Sequence, residues 1–167
     1  MLLLQNAADT LPLWIGSLGE KPPSLCGAIP AEPNYVCKQG DLVAARVKSS
    51  EGDDNWILAE VCSTSPSGKY TVEDIDEEQK ESHVITRKKV IPVPLMRAHP
   101  TLNPEAIFPL DAEVLALYPQ TTCFYKGVVQ SPPAKPNDTY LVAFEDNSYP
   151  QGFSQPLTVP QRYIVSF

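Results

Sequence analysis

The sequence Gly40-Asp-Leu-Val-Ala-Ala-Arg-Val47 opens the part of the chain that decides the fold. Its short apolar run, rich in residues that suit a pleated surface, is typical of a strand. Further runs of this kind follow, separated by turn-forming clusters of Ser, Gly, Asp and Asn, at Trp56–Val61, Tyr70–Ile75 and Val84–Val93. This spacing predicts a compact antiparallel meander that begins at Leu42.

The same pattern of short apolar runs and turns recurs later in the chain and predicts a second series of strands, at Val114–Tyr118, Thr122–Val129, Thr139–Phe144 and Gln161–Val165. Three runs of the first series align with three of the second. Leu42–Val47 aligns with Val114-Leu-Ala-Leu-Tyr-Pro119, Trp56–Val61 with Phe124-Tyr-Lys-Gly-Val-Val129, and Tyr70–Asp76 with Tyr140-Leu-Val-Ala-Phe-Glu-Asp146. The offsets are 72, 68 and 70 residues. We interpret this as one unit that has been duplicated with small changes in its loops.

Length and proline content limit how the two units are organised. The chain has 167 residues, of which 18 are proline, and proline disrupts the interior of a helix. A unit of roughly 50–55 residues is marginal alone, and closing a short sheet into a barrel removes its exposed edges. We therefore predict an all-β protein of two small β-barrels packed together. The predicted segments are a proline-rich lead-in (1–39), a first barrel (40–93), a connector with a short helix (94–111) and a second barrel (112–167).

Charge and motif content exclude several classes of function. The chain has 13 Lys and Arg against 20 Asp and Glu, a net charge of -7, which disfavours direct nucleic-acid binding and allows a cationic partner. The four cysteines lack a C-x-x-C pair, so we expect free thiols, no metal and no cofactor. No catalytic motif accompanies His83 or His99, so we expect a non-enzyme. No signal peptide or membrane span is evident, so we expect a soluble, intracellular protein.

The two units differ at three aligned positions, where only the second unit has aromatic residues. Tyr118, Tyr125 and Phe144 stand at or next to strand ends, which meet at one rim of a barrel. Three rings around a gap suit a methylated ammonium, and each contact contributes about 0.5–2 kcal/mol. Asp146 would add a carboxylate at this rim. The alternative reading is that the rings serve only packing.

The first unit has acidic residues where the second has a ring. Asp74 and Asp76 are two residues apart, so in a strand both side chains lie on one face and can share a cation. A peptide amine or an arginine would suit such a pair. A solvated acidic loop is the alternative for this stretch.

Several strings in the sequence resemble the tandem Tudor region of the SAGA-associated factor 29 family. They are Gly40-Asp-Leu-Val-Ala-Ala-Arg-Val47, Asn55-Trp-Ile-Leu-Ala-Glu-Val61, Val72-Glu-Asp-Ile-Asp-Glu-Glu78 and Leu115-Ala-Leu-Tyr-Pro-Gln-Thr-Thr-Cys-Phe-Tyr125. Leu11-Pro-Leu-Trp-Ile-Gly16, Leu25-Cys-Gly-Ala-Ile-Pro30 and Phe144-Glu-Asp146 also fit. The resemblance covers about residues 11 to 167 and implies two SH3-like, Tudor-type barrels packed face to face.

The resemblance also implies a function, that of a nuclear chromatin reader without catalytic activity. The family binds the histone H3 tail methylated on its fourth-position lysine, as part of SAGA-type acetyltransferase complexes. The methyl-lysine cage then falls on Tyr118, Tyr125 and Phe144, with Asp146 beside it. The pocket for the tail's first residue falls on Asp74 and Asp76, and the groove between them on Gln120 and Thr122. The family also has an N-terminal coiled coil that this sequence lacks.

Two other functions remain open on the residues alone. One is a protein-interaction scaffold that does not recognise methyl-lysine and uses the aromatic residues as an interface. The other is single-stranded nucleic-acid binding, which needs a basic groove beside the rings, where only Lys126 is available. No membrane partner is expected.

Overall fold

The protein is all-β, as its sequence predicts. A computed structural model describes residues 12–14, 21–48, 52, 54–75, 82–135 and 138–166. The first unit contains β1 (Leu42–Lys48), β2 (Asp54–Thr64), β3 (Lys69–Asp74), β4 (Ser82–Thr86) and β5 (Val90–Pro92). The second unit contains β6 (Glu113–Leu117), β7 (Cys123–Ser131), β8 (Tyr140–Phe144), β9 (Leu157–Val159) and β10 (Ile164–Val165).

Both units have the same strand order. In the first, the order is β5-β1-β2-β3-β4, and in the second it is β10-β6-β7-β8-β9, with every neighbouring pair antiparallel. β2 also pairs with β7, which joins the two units into one ten-stranded sheet. The duplication inferred from sequence is therefore repeated in the strand topology.

The end of each unit differs in detail from the sequence prediction. The run Val84–Val93 is not one strand, because a 3-10 turn at Arg87–Lys89 separates β4 from β5. Another 3-10 turn, Gln161–Tyr163, precedes β10 in the second unit. β9 was not anticipated, because three residues between prolines are too short to show an alternating pattern.

Equivalent hydrogen bonds hold the residues that precede the first strand of each unit. The backbone N–H of Cys37 donates to the Tyr70 hydroxyl at 3.1 Å, and that of Phe108 donates to the Tyr140 hydroxyl at 2.9 Å. Both tyrosines are buried, and they are counterparts in the sequence alignment. The equivalence of the units therefore includes the residues just before β1 and β6.

The ladders correct the alignment of the first strands by one residue. Their offset is 71 residues rather than 72, and the pairs that fix it are Leu42 with Glu60 and Glu113 with Val128. Tyr118 therefore corresponds to Val47 and not to Arg46. A slip of one residue exchanges the two faces of a strand, and the similar apolar runs did not distinguish the two registers.

The two units share part of their cores. Ala44, Leu58 and Val93 of the first unit belong to the same buried cluster as the interior of the second unit. At the junction between β2 and β7, Trp56 pairs with Phe124, and these two residues are counterparts in the repeat. The units therefore meet through equivalent strands, and main-chain hydrogen bonding fixes them to each other.

The connector between the units, which the structure describes throughout, has no α-helix; it contains one 3-10 turn, Pro104–Ala106, and further hydrogen-bonded turns on either side of it, in which the Asn103 N–H donates to the His99 carbonyl and the Ala112 N–H to the Pro109 carbonyl. Cys26 forms a parallel bridge with Met96, and Leu13 with Arg97. Cys26, Ala98 and Ala106 form a small buried cluster of their own. Residues 12–14 and 25–29 of the lead-in therefore pack along the connector, whereas Tyr35 and Cys37 pack on the first unit. Among the described residues, no helix has the length and apolar character needed to cross a membrane.

Candidate functional site

A tight turn between β6 and β7 positions the first aromatic residue. The Thr121 N–H donates to the Tyr118 carbonyl at 3.1 Å, and the Thr121 hydroxyl donates to the same carbonyl at 2.8 Å. Gln120 has a φ of 64° and follows a proline, the pattern of a type II turn. The turn reverses the chain within a few residues, so Tyr118 and Tyr125 flank it on neighbouring strands.

The three aromatic side chains predicted to form a cage lie together in the structure. The ring centroids of Tyr118 and Tyr125 are 5.8 Å apart, with an interplanar angle of 83°. The centroids of Tyr118 and Phe144 are 4.9 Å apart, at 56°. The rings therefore meet at angles, which suits both aromatic packing and a concave aromatic surface.

Gly127 allows Phe144 to approach the neighbouring strand. The two residues are partners in the β7–β8 ladder. A Cβ atom on Gly127 would lie 2.7 Å from Val142 Cγ1 and 2.9 Å from the Ala143 carbonyl oxygen. A larger residue would push β8 away, so this glycine determines how closely Phe144 lies to the other rings.

The three rings border a cavity of about 590 Å³, which lies within the range of about 300–1,000 Å³ typical of ligand sites. Its lining is Tyr118, Thr121, Tyr125, Phe144, Glu145, Asp146 and Asn147. Phe144 is only 1% exposed, whereas Tyr125 is 49% exposed. A ligand would therefore meet the faces of the two tyrosines, and Phe144 would form the floor behind Tyr118. Burial, together with the nearby Cys123 and Tyr118, raises the pKa of Tyr125, so its phenol stays neutral at physiological pH.

The acidic side of the cavity is built by the loop after β8. The Asp146 carboxylate accepts hydrogen bonds from the Ser148 N–H at 2.9 Å and the Ser148 hydroxyl at 2.7 Å. These bonds lower the pKa of Asp146, so the group keeps its negative charge into acidic solution. Sequence reasoning identified Asp146 and missed Glu145, Asn147 and Thr121, although each is adjacent to a predicted residue.

Gln120 and Thr122 lie on the turn and do not line the aromatic cavity. Gln120 is exposed, and Thr122 is half-buried. The Thr122 carbonyl accepts a hydrogen bond from the Leu58 N–H at 2.8 Å, across the junction between the units. The turn is therefore fixed from the side of the first unit.

Asp74 is the last residue of β3, is half-buried, and pairs with Ala59. The N–H of the next residue, Ile75, donates to the Leu58 carbonyl at 3.2 Å. The main chain of Leu58 thus connects the end of β3 to the Thr122 turn. Asp76 lies outside the described residues. Within the described ranges, no group of three or more His, Cys, Asp or Glu side chains is placed to hold a metal ion.

Comparison with known proteins identifies the class of this domain. A family model described as the SGF29 tudor-like domain matches residues 39–167. The chain is thus a Tudor-like, all-β protein, in keeping with its strand topology and its aromatic cluster.

The particular family follows from three relatives. The chain is 54% identical over 168 residues to SAGA-associated factor 29kDa of Drosophila melanogaster, covering 100% of this chain and 58% of that protein. It is 33% identical over 141 residues to SAGA-associated factor 29 homolog B of Arabidopsis thaliana, covering 79% and 50%. Homolog A of the same plant is 32% identical over 142 residues, covering 79% and 51%. The chain belongs to the SAGA-associated factor 29 family and spans about half the length of these relatives.

Two solved structures are also similar to this chain, each at 14% sequence identity. One is Arabidopsis thaliana AGDP1 AGD34, with a TM-score of 0.43, covering 75% of this chain and 79% of that one. The other is the ADCP1 tandem Agenet domain 3-4, with a TM-score of 0.40, covering 75% and 77%.

Proposed function

We propose that this chain is a non-catalytic chromatin reader that binds the histone H3 tail di- or trimethylated on its fourth-position lysine. The observation that carries the proposal is the grouping of Tyr118, Tyr125 and Phe144 around one cavity with Asp146 at its edge. A methylated ammonium is bulky and poorly hydrated, and it is attracted to the negative faces of aromatic rings. Two tyrosine faces and a carboxylate match that chemistry.

We propose that the free amine at the start of the tail binds at Asp74 and Asp76. An extended chain advances about 3.3 Å per residue, so three steps separate the first residue from the fourth by roughly 10 Å. The hydrogen-bonded path from Ile75 through Leu58 to Thr122 supports a fixed separation of this kind. Gln120 and Thr122 would then line the groove between the two pockets.

We also propose the biological setting and the finer architecture. The relatives are named as SAGA-associated factors, which supports a nuclear subunit that brings a SAGA-type acetyltransferase complex to methylated chromatin. Each five-stranded unit would be a small Tudor-type barrel, the first within 40–93 and the second within 112–167. Residues 1–39 would serve as the lead-in and 94–111 as the connector.

Peptide titration tests the reader function. By isothermal titration calorimetry, an H3 tail peptide trimethylated on its fourth-position lysine should bind more tightly than the unmodified peptide. Acetylating the amine of the first residue should weaken binding of either peptide. Equal affinity for the trimethylated and unmodified peptides would exclude the cage and leave the scaffold function in its place.

The acidic pocket can be tested separately from the cage. Asp74→Asn should weaken binding of the peptide with a free amine by about 5- to 10-fold, the loss of about 1–1.4 kcal/mol expected for a partly exposed ion pair. The same substitution should leave binding of the acetylated peptide unchanged. Glu113→Gln removes an exposed charge from β6 of the second unit and serves as the matched control. Equal losses with both peptides would contradict a role for Asp74 in holding the amine.

A further inference from the structure

The duplication allows equivalent surfaces of the two units to be compared directly. In the second unit, the groove beside the final 3-10 turn, Gln161–Tyr163, is covered by another part of the chain. The Gln161 side chain accepts a hydrogen bond from the Ala98 N–H at 3.0 Å and donates to the Ala98 carbonyl at 3.3 Å. Ala28 adds a backbone hydrogen bond to Ala106 at 2.6 Å. An extended segment thus fills this groove and leaves Gln161 only 4% exposed.

The first unit has an equivalent groove beside its final 3-10 turn, but the equivalent segment of the chain does not lie over it. Arg87 opens its final 3-10 turn as Gln161 does in the second unit, but Arg87 is exposed. The segment that corresponds to Met96–Ala98, at an offset of 71 residues, is 25–27. That segment is used elsewhere, because Cys26 pairs with Met96 beside the second unit. With residues 25–27 beside the second unit, no segment in the described part of the chain covers the first unit's groove as residues 96–98 cover the second's.

The open groove is a cavity of about 430 Å³, which we call the first-unit groove. Its lining is Ala31, Glu32, Pro33, Tyr35, Cys37, Tyr70, Arg87, Lys88, Val90 and Pro92. The side chains of Tyr35, Pro33 and Val90 give it apolar walls. Its size falls in the range of about 300–1,000 Å³ found for ligand sites.

The charge of the first-unit groove is opposite to that of the molecule as a whole. Arg87 and Lys88 line it together with Glu32, and the Asp41 carboxylate accepts a hydrogen bond from the Tyr35 hydroxyl at 3.0 Å, whereas the chain carries a net charge of -7. Lys89 follows in the same turn, and Lys69 lies on the neighbouring strand, paired with Thr86. The Arg87 guanidinium donates to the carbonyls of Pro33 and Tyr35, which holds it at the groove. An acidic ligand would be attracted to this surface.

We propose that the first-unit groove binds an extended, acidic segment of a partner protein. The segment would lie on the first unit as residues 96–98 lie on the second, with apolar side chains against Tyr35 and Val90 and carboxylates near Arg87 and Lys88. This interaction surface is separate from the aromatic cavity, so it does not depend on methyl-lysine recognition.

Nuclear magnetic resonance with a defined peptide pool tests the proposal. The probe is a pool of octapeptides with two central glutamates, and Ala, Val, Leu, Pro and Thr mixed at the other positions. At millimolar concentration the pool should shift the amide signals of Tyr35, Cys37, Lys88 and Val90 and leave that of Tyr125 in place. A matched pool with two central lysines should produce no such shifts.

Two variants and a control locate the binding site. Lys88→Glu should weaken binding of the acidic pool by about fivefold or more, because it replaces attraction with repulsion at a partly enclosed site. Arg87→Gln, which introduces the residue found at the same place in the second unit, should weaken it while keeping a donor for the neighbouring carbonyls. Lys135→Glu makes the same charge change on an exposed loop of the second unit and should have little effect.

Four results would overturn the proposal. Three are the absence of shifts at the groove with the acidic pool, equal shifts with the lysine pool, and an equal loss from Lys135→Glu; the fourth comes from a competing ligand. A duplex DNA oligonucleotide is titrated in parallel. If it shifted the Lys88 and Val90 signals more strongly than the acidic pool, the groove would be a phosphate-binding surface and not a peptide site.

Discussion

Replacing Tyr125 by alanine should weaken methyl-lysine binding while leaving the protein folded, so it tests recognition without a large change in the free energy of unfolding. Tyr125 is 49% exposed and contacts Tyr118 edge to face at 5.8 Å. Losing one such aromatic pair costs about 0.5–1.5 kcal/mol of folding free energy. Small domains commonly have about 5–15 kcal/mol of stability, so the variant should remain folded. Phe144→Ala is a poor probe by comparison, since removing a buried phenylalanine costs about 3–5 kcal/mol.

The expected loss of binding follows from the same geometry. One ring face contributes about 0.5–2 kcal/mol to holding a methylated ammonium. At about 1.4 kcal/mol per tenfold, Tyr125→Ala should weaken binding of the trimethylated peptide by about 2- to 30-fold. Binding of the unmodified peptide should change little, because a well-hydrated ammonium gains less from the ring. The ratio of the two affinities is therefore the quantity to follow.

Calorimetry with both peptides measures that ratio, and circular dichroism on heating confirms that the variant is folded. Tyr149→Ala is the matched control. Tyr149 is a tyrosine of the second unit that is 40% exposed and lines a different cavity, together with Ala143 and Phe153. If Tyr125→Ala left the affinity ratio at its original value, or if Tyr149→Ala reduced it equally, the cage would be refuted.

Other predictions concern the framework around the site. Gly127→Ala should lower the free energy of unfolding by about 1–3 kcal/mol in denaturant titrations, because its methyl group would overlap β8; an unchanged midpoint would contradict this. Tyr70→Phe and Tyr140→Phe should each cost about 1–3 kcal/mol, since each leaves a backbone N–H without its acceptor; a large effect from only one would argue against their equivalence. Burial raises the pKa of the Cys37 thiol to about 11, so Cys37 should react with iodoacetamide at pH 8 more slowly than half-buried Cys62, as read by mass spectrometry. Between about pH 9 and 11 the Cys37 thiol ionises in the unfolded chain but stays protonated in the folded protein. The free energy of unfolding should therefore fall as the pH rises through that range, and Cys37→Ala should make this fall less steep.

Local patterns were sufficient for the strands and for the grouping of the rings. Alternating apolar runs and turn clusters predicted the first three strands of each unit, because those signals arise from neighbouring residues. Tyr118, Tyr125 and Phe144 were identified because they differ from their counterparts while the surrounding strands are alike. Register was less certain, and the first strands were misaligned by one residue, since two similar apolar runs fit either way until their ladder partners are known.

Features that depend on neighbouring residues could be predicted from the sequence, whereas features that depend on contacts between distant residues needed the tertiary structure. Sequence determined the all-β class, the internal duplication and the residues of the aromatic cluster. Only the tertiary structure decided that β2 pairs with β7, that Leu58 connects the end of β3 to the Thr122 turn, and that the lead-in covers the second unit's groove. These contacts join residues far apart in the chain, and the backbone groups that make them are the same in every residue, so no side-chain pattern signals them in advance.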